Sequence, residues 1–151
     1  MNRRLFLKGV AACTAGFGLL KSVVAVAMEW PKALFDLESE AEAVKALFGD
    51  TPVAESGDVA IKAPLQAENG AVVPIKITTT LADAESISIM VEKNPAPFVT
   101  SVNLQPGASG GMFSARIKMG QTSKVSAYVK AGGKVHMASQ EIKVTVGGCG
   151  G

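Results

Sequence analysis

Histidine is nearly absent from these 151 residues, and cysteine occurs twice. The single histidine, His136, supplies neither a histidine-based metal site nor a catalytic triad. HExxH, CxxC and phosphate-loop patterns are all missing, which removes the commonest metallohydrolase, redox and nucleotide chemistries. No apolar run approaches the roughly 20 residues of a membrane-spanning helix. The charge is also modest, 15 basic against 13 acidic side chains, and unevenly placed. Residues 1–27 hold Arg3, Arg4, Lys8, Lys21 and no acid, so the remainder carries 11 basic and 13 acidic groups. A basic nucleic-acid footprint is therefore lacking. At 48% hydrophobic the chain suits one domain and excludes disordered or low-complexity classes.

The first segment reads as an address. Arg3-Arg4-Leu5-Phe6-Leu7-Lys8 precedes an apolar stretch, Gly9 to Leu20, then Lys21 and Ala25-Val26-Ala27. A charged start, apolar middle and small-residue end is the layout of a secretory signal. The paired arginines, Arg3 and Arg4, resemble a twin-arginine export signal, with Asn2 where Ser or Thr is usual. An ordinary secretory signal or an uncleaved anchor is the simpler alternative. Val10-Ala11-Ala12-Cys13 lies too early to be a lipoprotein processing site. Residues 1–27 are thus expected to be removed on export to the periplasm, with no membrane attachment afterwards. Twin-arginine machinery moves folded proteins, often with a cofactor or partner. No cofactor or metal site is visible here, so a partner subunit is expected.

Next comes a helical segment, residues 28–57. Leu34, Leu37, Ala41, Val44, Leu47 and Phe48 make one stripe at helical spacing. The pattern predicts a short turn or helix over 31–37 and a second helix over 40–48. Ser39 and Glu42 fit a capping box, and Gly49 a stop. The apolar stripe should cover a face or end of a sheet. Asp36, Glu38, Glu40 and Glu42 read as helix-start acids rather than paired catalytic carboxylates.

From Asp58 the period changes to two. Val59-Ile61-Ala63, Val73-Ile75-Ile77-Thr79, Ile87-Ile89-Val91, Ser101–Leu104, Phe113–Met119, Val125-Ala127-Val129, Val135-Met137 and Ile142-Val144-Val146 alternate with other residues. Asn69-Gly70 and Gly132-Gly133 suit tight hairpins, because primed turns need positive φ. Pro74 marks an edge strand or a bulge. About seven strands at regular spacing predict an immunoglobulin-like antiparallel β-sandwich over 58–146, with one or two short helices before it. His136 reads as a surface or cross-strand residue. Arg116 reads as an outward-facing charge or an interface residue.

Residues 147–151 carry the chemistry. Cys149 stands between Gly147-Gly148 and Gly150-Gly151. Glycine reaches most of φ/ψ space, so the segment reads as a thin, flexible arm. A thiol on such an arm can enter a cleft, receive a group, and present it elsewhere. Three functions are open on these residues: a covalent carrier on Cys149, a ubiquitin-like thiocarboxylate on Gly151, and an exported scaffold or adhesion module linked by a Cys149 disulfide. The export signal opposes the second, which needs cytoplasmic activation.

Val144-Thr145-Val146-Gly147-Gly148-Cys149-Gly150-Gly151 resembles the ending of the SoxY family of sulfur carriers. Ala67-Glu68-Asn69-Gly70 with Val73-Pro74 resembles the family's A-E-N-G-x-x-V-P segment, and Glu92-Lys93-Asn94-Pro95 its E-x-N-P turn. Arg116–Met119 and Thr122–Val125 also fit. The resemblance implies a non-catalytic carrier with thiosulfate-derived sulfur held on Cys149. It also implies a heterodimer with a SoxZ-like subunit. A haem-containing thiosulfate-conjugating enzyme, a sulfate-releasing hydrolase and a sulfane dehydrogenase would act on the cargo, and haem and metals would belong to those enzymes.

No basic residue neighbours Cys149 in sequence, so nothing local favours its thiolate. The Cys149 thiol of the isolated protein is expected to titrate near the ordinary value of about 8.5. A thiolate titration by ultraviolet absorbance checks this, and a midpoint well below neutrality contradicts it.

Overall fold

A computed structural model describes residues 32–105, 107 and 109–145. The pattern of period two builds two sheets, and the helical stripe builds a third layer on one of them. The strands are β1 (Val53–Glu55), β2 (Val59–Lys62), β3 (Gln66–Ala67), β4 (Val73–Ala82), β5 (Ala84–Val91), β6 (Phe98–Asn103), β7 (Ser109–Ile117), β8 (Ser123–Ala131) and β9 (Lys134–Val144). The larger sheet runs β1-β9-β8-β5-β6, with β3 also on β9; the smaller runs β2-β4-β7. Every pairing is antiparallel except those of β1 and β3, which lie parallel to β9. The expected β-sandwich is present, with nine strands among the described residues rather than about seven.

Alternation along β4 shows how the sandwich closes. Val73, Ile75, Ile77 and Thr79 are buried, while Pro74, Lys76 and Thr78 face outward. The inward set packs on Ile87, Ile89 and Val91 of β5, Val125, Ala127 and Val129 of β8, and Ile142 of β9. Each such isoleucine or valine contributes on the order of 1.5–3 kcal/mol by leaving water. At Asp83 the chain passes from the smaller sheet to the larger, with φ of 55°, a left-handed conformation that aspartate tolerates.

The other face of the larger sheet is covered by a 3-10 helix (Lys32–Asp36) and by α1 (Glu40–Phe48). Leu34, Ala43 and Phe48 bury against Met90, Phe98, Tyr128 and Val135. Phe35 meets Phe98 edge-on at 4.9 Å. Ser39 does stand at the helix N-cap, but its side chain makes no capping hydrogen bond. Gly49 ends α1, its N–H donating to the Lys45 carbonyl at 2.8 Å.

Two turn expectations diverge. Gly132 and Gly133, with φ of 56° and 71°, form the expected two-residue hairpin between β8 and β9. Asn69-Gly70 instead joins strands of different sheets. There the Asn69 side chain accepts the Ala71 N–H at 2.9 Å, a local turn rather than a hairpin. Pro74 is tolerated because β2 pairs with β4 only as far as Lys76. Beyond that point β4 has a neighbour on the β7 side alone, so Pro74 is locally at an edge.

Residues 134–144 form one continuous strand, where the sequence pattern suggests two. β9 pairs with β8 from Ala131↔Lys134 to Ser123↔Ile142 without a register shift. Val135 and Met137 pack under the helices, whereas Ile142 and Val144 pack in the sandwich. The apolar positions change parity because the covering layer changes along the strand. That switch makes one strand look like two.

Tyr128 fastens the helical layer, its hydroxyl donating to the Glu40 carboxylate at 2.8 Å. Burial, and then the Glu40 carboxylate, push its pKa well above the usual tyrosine range. Stability should therefore hold up to about pH 10, where an unfolded tyrosine ionises, and fall as pH rises beyond it. Tyr128→Phe is expected to cost about 1–2 kcal/mol near neutrality. It should also flatten part of that alkaline decline, as read by urea unfolding across pH.

Candidate functional site

The C-terminal end of β9 determines where the chain departs toward Cys149. Three loops gather round it. The Lys143 N–H donates to the Leu65 carbonyl at 2.9 Å, and the Thr145 N–H to the Ala67 carbonyl at 3.0 Å. The Thr145 hydroxyl reaches that same carbonyl at 3.2 Å. On the other side, the Val144 N–H donates to the Thr122 hydroxyl at 2.9 Å. The segment Lys143–Thr145 is thus held from both flanks after its pairing with β8 has ended.

The flanking loops are fastened to one another. Asn94 Nδ2 donates to the Lys118 carbonyl at 2.8 Å, and Asn94 Oδ1 accepts the Gly120 N–H at 3.1 Å. The Lys93 N–H donates to the Ser123 hydroxyl at 3.0 Å. The Met119 N–H donates to the Gly70 carbonyl at 2.7 Å. Gly70 is required for close approach: a Cβ there would overlap the Met119 carbonyl oxygen and lie 2.9 Å from Val144 Cγ1. Ala67–Pro74, Glu92–Pro95 and Arg116–Val125 are far apart in sequence, and the fold brings parts of each to this one end. Two large apolar side chains, Leu65 at 76% exposure and Val72 at 51%, stand open in the loops of the same end.

The sequence-predicted site residues Cys149, Gly147, Gly148, Gly150 and Gly151, and the signal arginines Arg3 and Arg4, lie outside the described residues, as do residues 1–27. His136 is half-buried on the opposite half of β9, level with Val129 and Ala54. Glu40 is engaged with Tyr128, and Asp36, Glu38 and Glu42 are exposed. Among the described residues no cluster of three or more His, Cys, Asp or Glu could hold a metal ion. No helix among them is long and apolar enough to cross a membrane. Leu65, Val72, Thr122 and Thr145 were not legible as site residues, because their roles rest on non-local backbone contacts.

The described residues form a two-sheet β-sandwich that gathers its loops round the end of β9. The sulfur oxidation protein SoxY family model matches residues 44–149, and the chain belongs to that family. A solved structure of the sulfur carrier protein SoxY from Chlorobium limicola f thiosulfatophilum is 40% identical, with a TM-score of 0.65. That match covers 70% of this chain and 96% of the Chlorobium chain. A superoxide reductase (neelaredoxin) from Ignicoccus hospitalis aligns at 18% identity and TM-score 0.47, over 71% of this chain and 90% of its own. No curated protein matches the chain. The chain is a carrier, not a catalyst.

Gly70→Ala is expected to lower stability by about 1–3 kcal/mol, because the added methyl has no room against backbone. Hydrogen exchange at Lys143–Thr145 should quicken by more than at Ile87–Ile89. Equal quickening at both places would contradict the role assigned to Gly70.

Proposed function

We propose that this protein is a periplasmic carrier that holds thiosulfate-derived sulfur covalently on Cys149 and presents it to the enzymes of sulfur oxidation. The observation that carries this reading is membership of the SoxY family across residues 44–149, a span that ends on Cys149. The likeness to a solved sulfur carrier, covering 96% of that chain, supports it. The signal-like segment with Arg3 and Arg4 supports twin-arginine export to the periplasm.

The chemistry suits a thiol. A haem-containing partner would join Cys149 to thiosulfate: an S–S bond forms, the thiol proton leaves, and the partner takes two electrons. A hydrolase would then add water across the terminal S–S bond and release sulfate. That leaves the carrier with a persulfide, whose outer sulfur a sulfane dehydrogenase would oxidise. Each step makes or breaks a bond at sulfur, where thiolate attack is the established route. Only a few per cent of an unperturbed thiol is ionised at neutral pH, so activation falls to the partners. Gly147, Gly148, Gly150 and Gly151 act as the arm, presenting nothing but backbone to a cleft. A SoxZ-like subunit completes a heterodimer. Leu65 and Val72 provide exposed apolar contact at the end of the body from which the arm leaves.

Intact mass spectrometry after exposure to thiosulfate and the partner enzymes should show sulfur and sulfonate increments on the C-terminal peptide. Cys149→Ser should abolish every increment while leaving thermal unfolding within about 0.5 kcal/mol of the parent, as for a surface substitution. Increments that persist in Cys149→Ser would refute the assignment. A disulfide-linked species with no increments would favour a scaffold instead.

A further inference from the structure

The outward face of the smaller sheet carries a charge arrangement that the fold does not need. Lys62 of β2 stands directly opposite Lys76 of β4. On the other flank of β4, Arg116 of β7 stands opposite Pro74, one diagonal step from Lys76. Like charges placed directly across a strand pair destabilise it. β2, β4 and β7 contain no acidic residue. Among the described residues the ion pair present is Lys130 with Glu85, so none of the three cations has an acidic partner there. Pro64, Pro74 and Ser114 join them to line an open groove of about 610 Å3, with no acidic group in its lining.

This groove is linked to the departure of the chain toward Cys149 through the segment that follows β2. Its rim residue Pro64 directly precedes Leu65, whose carbonyl receives the Lys143 N–H. From Thr145, the four residues to Cys149 span at most about 13–14 Å when extended. The cargo and the long lysine and arginine chains add to that reach. The groove has far more room than a lone tetrahedral oxoanion fills, which suits an anion still attached to peptide.

We propose that the groove of Lys62, Lys76 and Arg116 is a cradle for the terminal sulfonate of cargo carried on this chain's own Cys149. The proposal rests on the carrier reading above. The Arg116 guanidinium can meet two sulfonate oxygens side by side, and the two ammonium groups the third. The opposed lysines then cease to repel each other, because the anion lies between them. Release of the sulfonate as sulfate removes the three oxygens that the cations grip, so a persulfide, though itself anionic at neutral pH, would be held far less firmly. The cradle thereby separates sulfonate-bearing cargo from the sulfane stage that follows.

The test needs no partner enzyme. In the full chain carrying Cys13→Ser, the Cys149 thiolate attacks tetrathionate. The central S–S bond of tetrathionate breaks, thiosulfate leaves, and an S-thiosulfonate remains on Cys149. Mass spectrometry verifies the adduct. Loading should shift the side-chain NMR resonances of Lys62, Lys76 and Arg116 at low salt, and roughly 0.5 M salt should reverse the shift. Lys76→Gln and Arg116→Gln should each weaken protection of the adduct from a thiol reductant by about twofold to fivefold. Lys76→Gln should also raise the melting temperature of the unloaded protein at low salt, which shows that the variant is folded. An adduct that forms without moving these resonances overturns the cradle and leaves the carrier reading intact. Free thiosulfate that shifts them in Cys149→Ser, with no shift on loading, also overturns it and makes the groove a site for the free anion. Failure of Cys149 to take the adduct sinks both.

Discussion

The uninterrupted antiparallel pairing of β8 with β9 is the constraint from which the rest follows. It runs from the Gly132-Gly133 hairpin to Ser123↔Ile142 with no slip. A shift of one residue would carry Ile142 out of the sandwich and Val135 and Met137 off the helical layer together. Two hydrophobic clusters on opposite faces thus specify one register. That register in turn determines which residues of β9 reach the loops that flank its end.

Those loops are built for position rather than reaction. Asn94, Ser123 and Thr122 use side-chain polar atoms to satisfy backbone groups of neighbouring loops. Buried or half-buried backbone groups are expensive to leave unpaired, so the arrangement has few alternatives. On the proposed reading, the described body contributes geometry, and the attachment atom belongs to a sequence segment almost free of side chains. A carrier benefits from that separation, because a body with its own catalytic groups would risk consuming what it holds.

Much of this was legible in the residues. α1 begins and ends where the helical stripe, Ser39 and Gly49 place it, and the alternation of β4, β5 and β8 identified the sandwich. β1 escaped because Val53–Glu55 is wholly exposed and carries no burial pattern. β3 escaped because two residues cannot display a period. The division of β9 in the sequence reading came from a real change of parity whose cause, a helical layer over half the strand, is tertiary. Asn69-Gly70 looked like a hairpin because turn chemistry is local while the choice of sheet is not. For the site, the motif residues were visible one by one. Their assembly at one end of the body was not, since it depends on loops meeting across 22 to 78 positions of chain. Arg116 was read as an outward or interface charge. What sequence could not supply was its neighbour, because the register that sets Lys62 against Lys76 and Arg116 against Pro74 is a property of the folded sheet.

The position of β9 inside its sheet has a mechanical meaning. A tug delivered through residue 146 arrives at Thr145 and runs along the strand axis. β8 lies on one side of that axis, with β1 and β3 on the other. Force in that direction loads the ladder bonds in shear, many at once, rather than peeling them one after another. On the proposed reading, a body loaded in this way would resist fraying from the pulled end each time its terminus docks and withdraws.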